Sequence, residues 1–168
     1  MLTVSLLVCA MMALTGVNGA DDNATAPIRN TATLPLLFPR ANIICPSGWN
    51  VIGQRCYYHE KTLKTWAEAE KNCQTRGGNL ASILSYTDQS FLLGKIANIA
   101  WIGGSACQEA GVWLWTDGQP MFFASWCAAK PDNELSTCCM QLTAGVGKCW
   151  DDIACSNAQE SICILRTH

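Results

Sequence analysis

The cysteines constrain this chain more than any other feature. Eleven stand among its 168 residues. The first, Cys9, lies in MLTVSLLVCAMMALTGVNGA, an apolar stretch that ends in small residues at Val17, Gly19 and Ala20. Residues 1–20 therefore read as a cleaved secretory signal, although the usual positive charge near the start is missing. The apolar run is shorter than the ~20 residues of a spanning helix. No later stretch is longer, so no membrane partner is expected. Loss of the signal leaves ten cysteines, an even number in an oxidising export route, which predicts five disulfides and a secreted, extracellular protein. Zinc ligation is the weaker alternative, because there are two histidines and no CxxC pair.

Charge is scarce. Asp, Glu, Lys and Arg make up 14% of the chain, against ~25% in a typical soluble domain. The net charge is −2 with no basic patch, which argues against a nucleic-acid partner. Such a composition suits either a disulfide-rich fold that needs few charges or a surface matched to something uncharged.

Residues 21–40, DDNATAPIRNTATLPLLFPR, have no clean period and read as a linker or pro-segment. They include the glycosylation acceptor Asn23-Ala24-Thr25 and end at Arg40, a site for a trypsin-like processing protease. Residues 41–168 are expected to form one folded domain, dense in structure signals from Cys45 onward. CPSGWNVIGQRCYYH predicts two strands around a glycine turn. Thr65 with Glu68 forms a capping box for a helix carrying Trp66, Ala69 and Cys73, stopped by Gly77-Gly78. Ser85 with Asp88 caps a second helix whose buried stripe is Phe91, Leu92 and Ile96. IAWIGG, VWLW, CCMQL, GKCW and SICIL then read as short strands. The order is hairpin, two helices, then strands and long loops, an α+β layout.

Taken in order, CPSGW, TWAEAEKNC, GGNLASI, WIGG, WLWTDG, KPDNELSTCC and CWDD resemble the C-type lectin-like domain in its long form. The resemblance covers residues 45–164. It implies two helices, two small antiparallel sheets, and bridges Cys45–Cys56, Cys73–Cys163 and Cys139–Cys155. The segments WIGGSAC, SWCAAKPD, CCMQ and GKCWDD further resemble the fish type II antifreeze proteins, a branch with two extra bridges. That likeness implies Cys107–Cys138 and Cys127–Cys149.

The resemblance also locates a calcium loop, whose ligand positions become Lys130, Asp132, Thr137, Asp151 and Asp152. Calcium needs six to eight oxygens, several of them anionic. Lysine has three donors and no acceptor, and Thr137 replaces a carboxylate by a hydroxyl. Three carboxylates remain. The expected arrangement places the Lys130 ammonium among them, where the ion would sit, so no metal or other cofactor is expected. Sugar binding in this family runs through the calcium, and its loss points to the calcium-independent antifreeze branch.

The resulting expectation is a secreted protein that binds an ice crystal surface without calcium. Candidate contacts are Leu135, Ser136, Thr137 and Ile153. The alternatives are a calcium-dependent, galactose-type carbohydrate-binding lectin and a metal-free protein-binding domain. An enzyme is not expected: all ten cysteines are assigned to bridges, and neither His59 nor His168 has an evident partner in the sequence. Of the seven tryptophans, Trp66, Trp101, Trp113, Trp115 and Trp150 are expected in the core, with Trp49 and Trp126 partly exposed.

Overall fold

The computed structural model describes residues 43–165, and the elements counted here lie within them. The signal, the 21–40 segment, Asn23, Arg40 and His168 fall outside the described residues. Strand β1 (Asn50–Ile52) and β2 (Arg55–Lys64) form the opening hairpin, with Gly53 at φ 59° in its turn. Helix α1 (Trp66–Thr75) follows directly. Its capping box is complete: the Thr65 hydroxyl accepts from the Glu68 amide, and the Glu68 carboxylate accepts from the Thr65 amide. Such an N-cap contributes ~1 kcal/mol. Past Arg76 the chain reverses at Gly77, φ 87°, and enters β3 (Gly78–Leu80). Helix α2 (Tyr86–Leu93) starts from Ser85, whose hydroxyl accepts from the Asp88 amide. It buries Leu92, while Ile96 reaches the core from just beyond its end.

The second half is strands and loops: β4 (Ile99–Ser105), β5 (Leu114–Trp115), β6 (Cys139–Thr143), β7 (Trp150–Ile153) and β8 (Gln159–Leu165). VWLW yields only a two-residue strand, because residues 109–112 turn through Gly111 at φ 79°. GKCW is mostly the β6–β7 turn, with Gly147 and Lys148 both at positive φ.

The two antiparallel groups expected from the resemblance are halves of one eight-stranded sheet. The path is β1-β2-β8-β4-β6-β7, with β3 beside β8 and β5 beside β4. The join is a parallel pairing of β4 with β8 at Ala100–Glu160 and Trp101–Ser161. It closes backbone hydrogen bonds where two free edges would otherwise meet, and it lies over Ala100 and Trp101, both fully buried. β3 and β4 share the same side of β8. Gly78 is essential to that fit, since a Cβ there would lie 2.0 Å from the Ile164 carbonyl oxygen.

One core cluster gathers Tyr57, Ile83, Leu92, Ile102, Met140 and Trp150. A second packs Ala69, Leu80 and Trp101 around Cys73–Cys163. Trp101 Nε1 donates to the Lys64 carbonyl and Trp66 Nε1 to the Ile102 carbonyl, both at 2.9 Å. The disulfides join Cys45–Cys56, Cys73–Cys163, Cys107–Cys138, Cys127–Cys149 and Cys139–Cys155. These are the five pairs the resemblance implied.

Candidate functional site

The site is built where β7 passes beneath the long loop between β5 and β6. Trp150, fully buried, anchors the start of β7. It stands edge-on to Trp115, Phe123 and Trp126, with centroid separations of 5.4–5.7 Å. Trp113 in turn leans on Trp126, at 4.8 Å. This aromatic stack supports the loop from below, and both half-buried Trp113 and Trp126 belong to it. Cys127–Cys149 and the Cys127 amide bonded to the Trp150 carbonyl clamp the loop to β7. Lys130 follows three residues on, ahead of a cis peptide to Pro131.

The Lys130 ammonium lies among three carboxylates. It is 2.7 Å from Asp132 Oδ2, 3.1 Å from Asp151 Oδ1 and 3.4 Å from Asp152 Oδ1. The Asp152 carbonyl oxygen, also at 3.4 Å, is a fourth neighbour. The Asp151 contact is an ion pair rather than an aligned hydrogen bond. These spacings fit an ammonium, whereas calcium draws oxygens in to ~2.3–2.6 Å. With Nζ at the centre, a cation would have to displace the lysine first.

Each carboxylate has a second support. Asp152 is fully buried and accepts the backbone N–H groups of Asp132, at 3.0 and 3.2 Å, and Asn133, at 3.3 Å. Asp151 Oδ2 accepts from Gln141 Nε2 at 3.0 Å. Asp132 Oδ1 accepts the Thr137 hydroxyl at 2.6 Å. Thr137 is thus committed to closing the loop on itself.

The electrostatics follow. The hydrogen bond to Asp132 holds the Lys130 ammonium well above the usual lysine range, against the cost of its partial burial, with Asp151 and Asp152 adding to the effect. The same bond, with that from Thr137, holds Asp132 well below the carboxylate range. Burial pushes Asp152 the other way, upward, and its backbone donors and Lys130 only partly offset this.

The five loop positions singled out in the sequence, Lys130, Asp132, Thr137, Asp151 and Asp152, therefore converge on one network. Gln141 and Asn133 also belong to it and carry no sequence signal: one acts from the β6 face, the other through its backbone. The surface candidates lie beside it. Leu135, Ser136 and Thr137 form a 3₁₀ turn that touches β7. Leu135 is 61% exposed. Ser136 is exposed and donates to Glu134, at 3.1 Å. Ile153 is half-buried, packed near Cys139 and Cys155. His59 does have a partner: its Nε2 lies 2.8 Å from Glu160 Oε2, across β2 and β8. Every cysteine among the described residues is bridged.

A family model for the C-type lectin domain matches residues 62–164. The chain is 52% identical over 166 residues to a type-2 ice-structuring protein of Hemitripterus americanus, covering 98% of this chain and 99% of that one. It superposes on the crystal structure of a calcium-independent type II antifreeze protein with TM-score 0.70 and 53% identity, covering 72% of this chain and 93% of that one. A calcium-dependent type II antifreeze protein, in its calcium-free form, gives TM-score 0.70 and 39% identity, with coverage of 73% and 100%. Among the described residues no helix is long and apolar enough to cross a membrane.

Proposed function

Because the chain belongs to the C-type lectin domain family, within its type II ice-structuring branch, we propose that it is a secreted protein that binds ice without calcium. The observation that carries the calcium-free part is the Lys130 ammonium seated among Asp132, Asp151 and Asp152. A sugar reached through a bound calcium would need that position vacant, so the network opposes the lectin reading. Low charge and a loop tied at Cys127, Cys138 and Cys149 support a rigid, weakly hydrated surface. Five disulfides support secretion into an oxidising medium.

The contact surface proposed is the exposed edge around Leu135 and Ser136, with Thr137 and Ile153 shaping it from beneath. Thr137 contributes by fixing the turn, because its hydroxyl is taken by Asp132. No catalytic role is proposed for the carboxylates, since each is neutralised or hydrogen-bonded within the network.

Thermal hysteresis measured with and without excess chelator tests this reading. Equal activity in both is expected. Activity lost with chelator would overturn calcium independence. No hysteresis, together with retention on galactose resin in calcium, would replace ice binding with lectin activity. Leu135→Lys should lower hysteresis several-fold at unchanged melting temperature; unchanged hysteresis would move the surface elsewhere.

A further inference from the structure

Two disulfides meet at the adjacent residues Cys138 and Cys139. Cys107–Cys138 ties the loop after β4 to the end of the 3₁₀ turn, and Cys139–Cys155 ties the start of β6 to the loop after β7. Their four sulfurs all lie within 4.8 Å of one another. Between the two bridges, Cys138 Sγ and Cys155 Sγ are 3.6 Å apart, Cys107 Sγ and Cys155 Sγ 3.6 Å, and Cys107 Sγ and Cys139 Sγ 3.9 Å. These are near-contact separations for sulfur that is not bonded. Cys107 is exposed, whereas Cys138 and Cys139 are 7% and 1% exposed. Beside the sulfurs is a cavity of about 410 Å³ lined by Trp66, Ala67, Gln108, Leu114 and Thr116. That volume is in the range of small-molecule sites, and Cys107, Cys139 and Cys155 form part of its wall.

We infer that Cys107 is an entry point for a low-molecular-weight thiol, and that the two bridges form a relay which exchanges partners without unfolding. Disulfides exchange by attack of a thiolate on one sulfur while the other leaves. In the first step the external thiolate bonds to Cys107 Sγ, and the Cys107–Cys138 bond breaks with its electron pair on Cys138. In the second, the Cys138 thiolate bonds to Cys155 Sγ and releases Cys139 as thiolate. In the third, the Cys139 thiolate bonds to Cys107 Sγ and returns the external thiol as its thiolate. No net oxidation or reduction occurs, and the thiol is regenerated. The product carries Cys107–Cys139 and Cys138–Cys155. The same three segments stay stapled, but the 3₁₀ turn is now anchored to the loop after β7. This inference does not depend on ice binding. The other three disulfides have no such neighbour among the sulfur contacts of the described residues, and they stay as they are.

The test uses the full chain with reduced glutathione at pH 8, quenched by acid, then labelled with N-ethylmaleimide under denaturing conditions and mapped without reduction. Electron-transfer fragmentation between residues 138 and 139 separates the two pairings. The expected result is glutathione on Cys107, crossed pairs accumulating, and Cys107–Cys138 lost at least tenfold faster than Cys45–Cys56, Cys73–Cys163 or Cys127–Cys149. Equal loss of all bridges, or an adduct on Cys107 with no crossed pairs, overturns the relay. Cys107→Ser gives a second measurement with no added thiol. It leaves Cys138 unpaired 3.6 Å from Cys155 Sγ, so label should divide between Cys138 and Cys139. Label confined to Cys138 overturns the exchange step. If that variant does not fold, the glutathione experiment on the native chain decides alone.

Discussion

Replacing Lys130 by Gln should turn an ion-independent loop into a calcium-dependent one. The substitution removes the ammonium that faces Asp132, Asp151 and Asp152 while adding a side-chain oxygen. The cost without metal comes from the buried end of the network. Asp152 is fully buried and keeps only its two backbone donors once the ammonium is gone. Breaking a fully buried pair typically costs ~3–5 kcal/mol, and a solvent-exposed pair ~0–1 kcal/mol. Lys130 is 26% exposed and Asp151 24%, so a loss of roughly 2 kcal/mol is expected between those limits. For a domain of this size that lowers the melting temperature by about 6–10 °C. Calcium should then restore stability by mass action, ~1.4 kcal/mol at ten times its dissociation constant. Scanning calorimetry and isothermal titration, each with chelator and with 10 mM calcium on the order of a saturating dose, read both effects. The native chain should show neither heat nor a shift. A native chain that calcium stabilises, or a Lys130→Gln variant as stable as native in chelator, would refute the reasoning.

Glu60 should govern part of the acid limb of stability. Burial opposes its charge, but the Thr62 amide, Arg76 and Asn72 outweigh burial and hold it at about 2. Because its folded value lies below the unfolded one, its stabilisation is complete above about pH 4.5 and fades as pH falls toward 2. Glu60→Gln should flatten stability over that window, by on the order of 2 kcal/mol, in denaturant midpoints measured from pH 5 to pH 2. Trp150→Ala should cost ~3–5 kcal/mol and expose the 119–126 segment to limited proteolysis, since Phe123 and Trp126 lose the ring they stand against. Gly78→Ala should destabilise by roughly 3 kcal/mol, read from chemical denaturation, because the new Cβ meets the Ile164 carbonyl, which β8 holds in place.

Local rules were legible because their partners are near in sequence. Thr65 and Glu68 announce a capping box within four residues, and the helix begins there. Ser85 and Asp88 do the same for α2. Cys45 and Cys56 flank the predicted opening hairpin, but the other cysteine pairs became legible only through the family resemblance, since ten cysteines alone allow many pairings. What could not be read depends on long-range closure. Nothing in IAWIGG or SICIL shows that β4 and β8 run parallel and fuse two antiparallel groups into one sheet. Gln89 looks like a solvent-facing helix residue, yet it is buried and bonds Ser125 and the Lys148 carbonyl. In the loop, Lys130 and the aspartates stood out as a damaged calcium pattern. Gln141 did not, because an alternating strand gives no hint that one amide will reach a carboxylate on its neighbour.

The loop's three kinds of tie do not respond alike to cold, and this bears on the proposed work near the freezing point. Hydrophobic stabilisation weakens on cooling, so the aromatic stack under the loop contributes less there than at 25 °C. The desolvation penalty of charged groups is larger in the cold than in the heat, so the Lys130 network also gains nothing by cooling. A disulfide acts chiefly by restricting the unfolded chain, typically ~2–4 kcal/mol each, and that restriction does not rely on the hydration of apolar surface. Cys127–Cys149 and Cys107–Cys138 bracket the loop on both sides. They hold its shape through the temperature range where the other terms fade. A tethered ammonium adds a further independence. It is supplied by the chain itself, so the loop's order does not vary with the calcium content of the surrounding fluid, as an ion-filled loop would through mass action.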